Sequence, residues 1–288
     1  MTGVVEIYAS RDKAIDAVAC DISKAVKVLM QYQKPFVLGV SKSPGAESLS
    51  ENLRRPEEDF SNVPVIILEK MIERYNEDSG PHFPGFREVR APIGELTDSR
   101  CIDAILDKNE GAYHIEGSHV VIYPGVDDSA LRHIMFSARY FEKKLREYGG
   151  IDMAVLDLGK DGSVLKNAPG ANTQTRTHLV KAHDNNYWVT AGLGTLIRES
   201  ADRYTTNLVR NVVLMGFGEE YADVVGSVVD SRYEKGSPAS FVRHAHPNIR
   251  IILDSSAAGK LTGPRAGEKQ FRKELSDGKN TVAVRFRI

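Results

Sequence analysis

The stretch LDLGKDGSVLKNAPGANTQTRTH, residues 156–178, decides the fold. It begins inside an apolar run, residues 151–158, whose length and composition are typical of a buried strand. Gly159, Gly162 and Gly170 follow, and each lets the backbone turn tightly or approach a ligand closely. The pattern predicts a strand whose carboxyl end opens into a glycine-rich loop, where α/β sheets bind their ligands.

Strand-like runs alternate with helical patterns along the chain. Besides residues 151–158, the runs predicted as strands are 36–40, 63–68, 119–123, 212–215, 249–253 and 281–284. One helix is predicted after Ser10 and another between Ser129 and Gly149. This alternation predicts an α/β fold, a mostly parallel sheet with helices on both faces. Since no linker or repeat divides the chain, we expect one domain over residues 1–288.

Composition narrows the classes of partner and compartment. The 38 basic residues nearly balance the 39 acidic ones, so nothing attracts the chain to nucleic acid or an anionic membrane. The apolar runs are strand-sized, so no membrane span is expected, and the first residues carry no signal-peptide pattern. With only Cys20 and Cys101, a disulfide scaffold and a cysteine-rich zinc site are excluded, and we expect a cytoplasmic protein.

No metal or cofactor is expected from the sequence. The eight histidines lack metal-ligand spacing, and His244 and His246 have no carboxylate partner nearby. The MGFGEE segment at residues 215–220 is not a dinucleotide fingerprint, because no G-x-G-x-x-G is present. Any chemistry is therefore expected from side chains alone.

Asp161 is the first candidate for that chemistry. It lies just beyond the predicted strand, where a carboxylate can accept a proton or orient a sugar hydroxyl. A Lys-Asp-Gly sequence is also a common turn, in which the aspartate has only a local structural role. Local chemistry leaves both interpretations open.

A wider set of residues matches a known signature. They are Asp161-Gly162, Asn167, Pro169-Gly170 and Arg176-Thr177, supported by segments 36–46, 139–159 and 191–196 and by His246-Pro247. In this order they resemble the glucosamine-6-phosphate deaminase/isomerase family, whose signature is roughly Gly-x-Gly-x-Asp-Gly-His-x-Ala-Phe-Asn-Glu-Pro-Gly, then Ser-Arg-Thr. The resemblance implies the sheet shared with 6-phosphogluconolactonase and ribose-5-phosphate isomerase.

The chain departs from this family at the residues that open the sugar ring. Ser163 stands where the family has a histidine, and Ala168 stands where it has the supporting glutamate. A serine is no acid or base near neutral pH, and alanine cannot orient a partner. The family's later phosphate-binding lysine falls near Glu219 or Glu220, whose charge repels phosphate. The ring-opening motif is thus degraded.

The resemblance also implies a phosphate loop and a base. Ser41-Lys42-Ser43-Pro44-Gly45 takes the place of the family's first phosphate loop, so Ser41, Lys42, Ser43 and Gly45 are predicted to bind phosphate. The alternative is an ordinary strand-to-helix connection capped by Ser43. Glu69 falls on the family's proton-shuttling aspartate and is predicted to be catalytic with Asp161, the alternative being a solvated strand end.

Three functional hypotheses remain. The first is a carbohydrate-metabolism enzyme, an isomerase or deaminase acting on a hexosamine 6-phosphate or related phosphosugar. The second is a 6-phosphogluconolactonase-like hydrolase, and the third is a non-catalytic phosphosugar-binding or structural protein on the same fold. His178 or His183 could replace the missing acid/base in the first. The expected partner is a small phosphosugar, and a homo-oligomer is left open.

Overall fold

The fold is described from a computed structural model. The residues that it describes are 4–41, 43–53, 60, 63–72, 87–88, 114–116, 119–121, 145, 147–174, 178–181, 187–197, 208–230, 234, 236–261, 274–276 and 281–287. The helix predicted from Ser129 lies outside these residues as far as position 144, and Cys101 also lies outside them.

The described strands and helices alternate over much of the chain. The strands are β1 (Val4–Tyr8), β2 (Leu38–Val40), β3 (Pro64–Ile67), β4 (Glu69–Ile72), β5 (Arg87–Glu88), β6 (His114–Glu116), β7 (His119–Val121), β8 (Met153–Asp157), β9 (His178–Lys181), β10 (Tyr187–Thr190), β11 (Val212–Gly216), β12 (Ile249–Asp254), β13 (Glu274–Ser276) and β14 (Thr281–Arg287). The helices are α1 (Arg11–Gln31), α2 (Pro44–Asn52), α3 (Leu193–Ile197), α4 (Ala222–Asp230) and α5 (Pro238–Ala245).

A nine-stranded sheet runs through the molecule in the order β13-β14-β1-β12-β11-β8-β2-β3-β5. All neighbouring pairs are parallel except β13 and β14 at one edge, which are antiparallel. Strand β2 lies between β3 and β8 and is parallel to both. The prediction that residues 36–40, 63–68 and 151–158 belong to one parallel sheet is confirmed, with somewhat shorter strands.

Two small antiparallel sheets accompany the large one. Strands β4, β10 and β9 form one, and β6 and β7 form the other. The strand predicted at 119–123 is therefore present as β7 but does not join the main sheet, because a strand pattern does not specify its partner. Leu68 connects β3 to the β4 sheet: its N–H donates to the Val40 carbonyl, and its carbonyl accepts the Ala191 N–H, both at 2.8 Å.

Helices cover both faces of the main sheet. Val155 and Val213 point toward the cluster that contains α1 and α2, whereas Leu156 and Leu214 point toward α3, α4 and α5. Side chains alternate in this way because successive residues of a strand face opposite sides. Burial of each such side chain stabilises the fold by about 1.5–3 kcal/mol. The predicted α/β class with helices on both faces is confirmed.

Helix α1 begins as the sequence predicts. Ser10 is its N-cap, and the Ser10 hydroxyl accepts the Lys13 N–H at 3.3 Å. Ile15, Val18 and Ile22 lie on one face of the helix and are buried. Across the described helices, none is both long and apolar enough to cross a membrane. The assignment of residues 1–288 to one domain stays a prediction.

Candidate active site

The candidate site lies at the carboxyl edge of three neighbouring strands. Ser41 follows β2, Glu69 follows β3 through Leu68, and Asp157 ends β8. The Ser41 N–H donates to the Val155 carbonyl at 3.1 Å, which continues the pairing of β2 with β8 up to the loop. Because β2, β3 and β8 are parallel and adjacent, these polar residues emerge at one edge of the sheet.

The predicted phosphate loop is the N-terminal cap of α2. The Ser43 hydroxyl accepts the Ala46 N–H at 3.3 Å and lies 3.1 Å from the Ser41 hydroxyl. The Gly45 N–H donates to Asp157 Oδ2 at 3.2 Å. The chain itself therefore uses the donors of Gly45 and Ala46. The capping role of Ser43 is confirmed, phosphate binding stays a prediction, and Lys42 lies outside the described residues.

Asp157 is the polar residue that the sequence interpretation missed. An added Cβ on Gly45 would come within 2.5 Å of Asp157 Oδ1 and 2.8 Å of Oδ2, so the carboxyl group packs directly on the α2 backbone. Burial raises the pKa of Asp157, and the Ser43 hydroxyl, the Gly45 N–H and the Arg11 charge oppose that rise without cancelling it. Alignment with the family signature could have identified this residue, because Asp157 stands where the signature has its first glycine.

Asp161 closes the tight turn after β8. Its Oδ1 accepts the Ser163 N–H at 3.0 Å, and Gly162 has the positive φ of 84° that the turn requires. Slight burial acts to raise the pKa of Asp161, but hydrogen bonds from the Ser163 hydroxyl and N–H outweigh it and hold the pKa below its ordinary value. Asp161 is exposed and ionised at neutral pH, in the form that accepts protons or sugar hydroxyls. Its catalytic role stays a prediction.

Glu69 is buried and is not a solvated strand end. It is the first residue of β4, and its side chain is only 3% exposed. Lys166 Nζ lies 4.0 Å from Glu69 Oε2 and is one-third exposed (33%). Residue Thr190 is paired with Glu69 across β4 and β10, and its Oγ1 accepts the Lys166 N–H at 3.4 Å. A carboxylate and an amine thus meet at the carboxyl edge.

Asn167, a residue of the matched signature, fixes the loop that carries Lys166. Its side chain is fully buried, and Nδ2 donates to the carbonyls of Val164 and Ala191, both at 3.0 Å. Ala191 in turn donates its N–H to Leu68, the residue before Glu69. The loop after β8 is therefore tied to the segment that holds Glu69.

The two departures from the ring-opening motif lie in the same loop. The Ser163 hydroxyl is used on Asp161, and Ala168 is exposed. The backbone of His178 begins β9, its side chain is outside the described part, and His183 is outside it altogether. Glu220 lies near the position of the family's later phosphate-binding lysine, and Lys160 Nζ is 3.5 Å from the Glu220 carboxylate. This ion pair offsets the negative charge at that position.

His246 has a structural role. It is buried, its Nε2 lies 3.0 Å from the Val209 carbonyl, and its Nδ1 accepts the Asn248 N–H at 3.1 Å. Burial lowers the pKa of His246, and these two hydrogen bonds oppose the change without cancelling it. Within the described part of the chain, no three His, Cys, Asp or Glu side chains cluster as a metal site would require.

Several proteins similar to this chain in sequence carry the name glucosamine-6-phosphate deaminase. No family model matches the chain. A putative glucosamine-6-phosphate deaminase-like protein of Bacteroides thetaiotaomicron is 23% identical over 268 residues, which are 89% of this chain and 37% of that protein. The chain thus spans about a third of the length of that relative. A glucosamine-6-phosphate deaminase of Staphylococcus haemolyticus is 24% identical over 254 residues, 86% of this chain and 96% of that protein.

Two solved structures share the fold. A monomeric glucosamine-6-phosphate deaminase superposes with a TM-score of 0.62 at 17% identity, covering 90% of this chain and 100% of its own. The 6-phosphogluconolactonase of Leishmania guyanensis superposes with a TM-score of 0.64 at 15% identity, covering 91% of this chain and 100% of its own. The architecture of this chain is common to both.

Proposed function

Because the chain is a divergent member of the superfamily of glucosamine-6-phosphate deaminases and 6-phosphogluconolactonases, we propose that it is a sugar-phosphate isomerase or deaminase. Its substrate is a hexosamine 6-phosphate or a related phosphosugar. The observation that carries the proposal is the buried Glu69 beside Lys166 at the carboxyl edge of the sheet. Aldose–ketose chemistry needs such a base and no redox cofactor.

Glu69 is the base that moves the proton between neighbouring carbons. Its burial shields it from water, so a bound sugar competes with few solvent molecules for the carboxylate. Lys166 is close enough to stabilise the negative charge that develops on a substrate oxygen when the proton leaves. Thr190 and Asn167 support this pair by holding the Lys166 segment.

Asp161 is the second catalytic carboxylate and orients a sugar hydroxyl. Its hydrogen bonds from Ser163 keep it ionised, and its side chain is exposed, where a ligand can reach it. Ser163 cannot open a pyranose ring, because a hydroxyl does not exchange protons unaided near neutral pH. The proposed enzyme therefore prefers open-chain substrate molecules and works slowly on cyclic glucosamine 6-phosphate.

Restoration of the missing residues tests this proposal. Ammonia release from glucosamine 6-phosphate is measured for the wild type and for the double variant Ser163→His, Ala168→Glu. A general acid/base contributes about 10²–10⁴-fold in rate, so the double variant should gain at least the lower figure. Adding Glu69→Gln to the double variant should remove that gain, whereas the exposed Asp223→Asn should not.

Other outcomes would favour other functions. Inactivity of both the wild type and the double variant, with phosphosugar still bound, would favour the non-catalytic binding protein. Fast wild-type deamination would contradict the degraded ring-opening motif. Hydrolysis of 6-phosphogluconolactone without any deamination would favour the hydrolase.

A further inference from the structure

We propose that Asp157 determines the ligand specificity of the α2 N-terminus by occupying it as a built-in anion. This inference rests on the phosphosugar ligand of the proposed function and concerns how its phosphate is admitted. In the free protein, the Asp157 carboxylate holds the position that a phosphate oxygen would take beside Gly45. A phosphorylated ligand must displace that carboxylate before it can use the loop.

The geometry around Gly45 carries the first step. Asp157 Oδ2 accepts the Gly45 N–H at 3.2 Å, and both carboxyl oxygens lie within 2.8 Å of the position of a Cβ on Gly45. No ligand oxygen can reach this N–H while the carboxylate stays. The next N–H, that of Ala46, is taken by the Ser43 hydroxyl, and the Glu47 N–H is taken by the Ser43 carbonyl.

Electrostatics carries the second step. The N-terminus of a helix attracts an anion, since its free N–H groups and its dipole are positive. Asp157 supplies that anion from β8, and a second anion at the same place would be repelled. An uncharged or cationic ligand group, such as a hydroxyl or an ammonium, meets no such repulsion.

A second strand-end aspartate shows what a purely structural carboxylate looks like here. Asp254, at the end of β12, accepts the Gly218 N–H at 3.1 Å on both oxygens and the Ala257 N–H at 2.8 Å. Asp157 accepts the Gly45 N–H and a hydrogen bond from the Ser43 hydroxyl, and within the described residues its buried Oδ1 has no hydrogen-bond partner. A carboxylate with one oxygen unbonded costs less to displace than one with both oxygens bonded to backbone N–H groups.

Binding of inorganic phosphate tests the inference without relying on catalysis. Calorimetric titration near neutral pH compares the wild type with Asp157→Asn, which removes the charge, and Asp157→Gly, which removes the side chain. Asp254→Asn is the matched control for the loss of a strand-end carboxylate. We expect both Asp157 variants to bind phosphate at least tenfold more tightly than the wild type, and the control to bind like the wild type.

Each alternative outcome overturns the inference. Equal affinity in all four proteins would mean that Asp157 does not compete with phosphate. No binding by either Asp157 variant would mean that the α2 N-terminus is not an anion site at all. Thermal melting of each variant identifies one that fails to fold, and Asp157→Ser then replaces it. The deamination assay fails independently if Glu69 is not the base, so the two proposals can be told apart.

Discussion

Replacement of Asn167 by alanine should destabilise the loop that carries the candidate site. The Asn167 side chain is fully buried, and its two amide hydrogens bridge Val164 and Ala191 at 3.0 Å each. Asn167→Ala removes both bonds together. The loop after β8 then loses its side-chain connection to the segment that follows β10.

The size of the effect follows from what the two carbonyls retain. The Val164 carbonyl keeps the backbone N–H of Asn167 at 3.1 Å, and the Ala191 carbonyl keeps a longer contact with Thr190 Oγ1 at 3.4 Å. Neither is left wholly unpaired, so the loss is about two net hydrogen bonds, about 1–3 kcal/mol in the free energy of unfolding. For a chain of this size, about 2 kcal/mol lowers Tm by roughly 3 °C.

Urea unfolding followed by circular dichroism measures this loss. Asn172→Ala is the matched control, because its side chain accepts the Gln174 N–H at 2.8 Å in an exposed turn where water replaces the bond. The control should stay within about 0.5 kcal/mol of the wild type. Asn167→Asp should lose more than Asn167→Ala at neutral pH, since a carboxylate would face two carbonyls. A free energy of unfolding for Asn167→Ala within about 0.5 kcal/mol of the wild-type value would mean that the two amide hydrogen bonds do not stabilise the loop.

Three further predictions concern packing and pH. Gly45→Ala should lower the free energy of unfolding of the wild type by about 1–3 kcal/mol, because the added Cβ meets the Asp157 carboxyl group. In an Asp157→Gly background the same substitution should cost much less, which a double-mutant cycle measures. Additive effects of the two substitutions would contradict the close contact. Burial raises the pKa of Asp157 in the folded protein, so the wild type loses stability as pH rises above 3.8, the ordinary pKa of this group. Asp157→Asn cannot ionise, so in denaturant titrations its free energy of unfolding should increase relative to that of the wild type over this rise in pH. A difference that stays constant with pH would contradict the prediction. Burial lowers the pKa of His246 in the folded protein, so its contribution to the free energy of unfolding is complete above 6.5, its ordinary pKa, and is lost as pH falls below that value. His246→Gln should therefore lose less stability than the wild type on acidification. An equal loss in the two proteins would contradict the structural role of the neutral histidine.

The central strands could be predicted because each is buried on both faces and is therefore a continuous apolar run. Residues 36–40 have this property, and so do residues 153–156 within the predicted strand 151–158. Strand β1 was missed because Glu6 interrupts its pattern, and only the structure reveals that Arg250 pairs with Glu6 at 3.1 Å. Strand β4 was missed because it begins with Glu69 and Lys70, whose charges hide its strand character.

The candidate site was predicted only where its interactions are local. Ser43 as an N-cap and the turn at Asp161 involve residues two or three positions apart, so the sequence is sufficient. The contact of Asp157 with Gly45 joins residues 112 positions apart. Its partner follows from the parallel pairing of β2 with β8, which composition and periodicity do not specify.

Deuterium exchange into substrate is the most direct test of proton transfer by Glu69. Fructose 6-phosphate is incubated in D₂O with the wild type, Glu69→Gln and the exposed-site control Asp223→Asn, and the C1 proton signals are followed by NMR. This readout needs neither ring opening by a histidine nor release of ammonia. We expect exchange with the wild type and the control, and a loss of about 10²–10⁴-fold with Glu69→Gln. Exchange that is absent from the wild type, or unchanged in Glu69→Gln, would contradict proton transfer by Glu69.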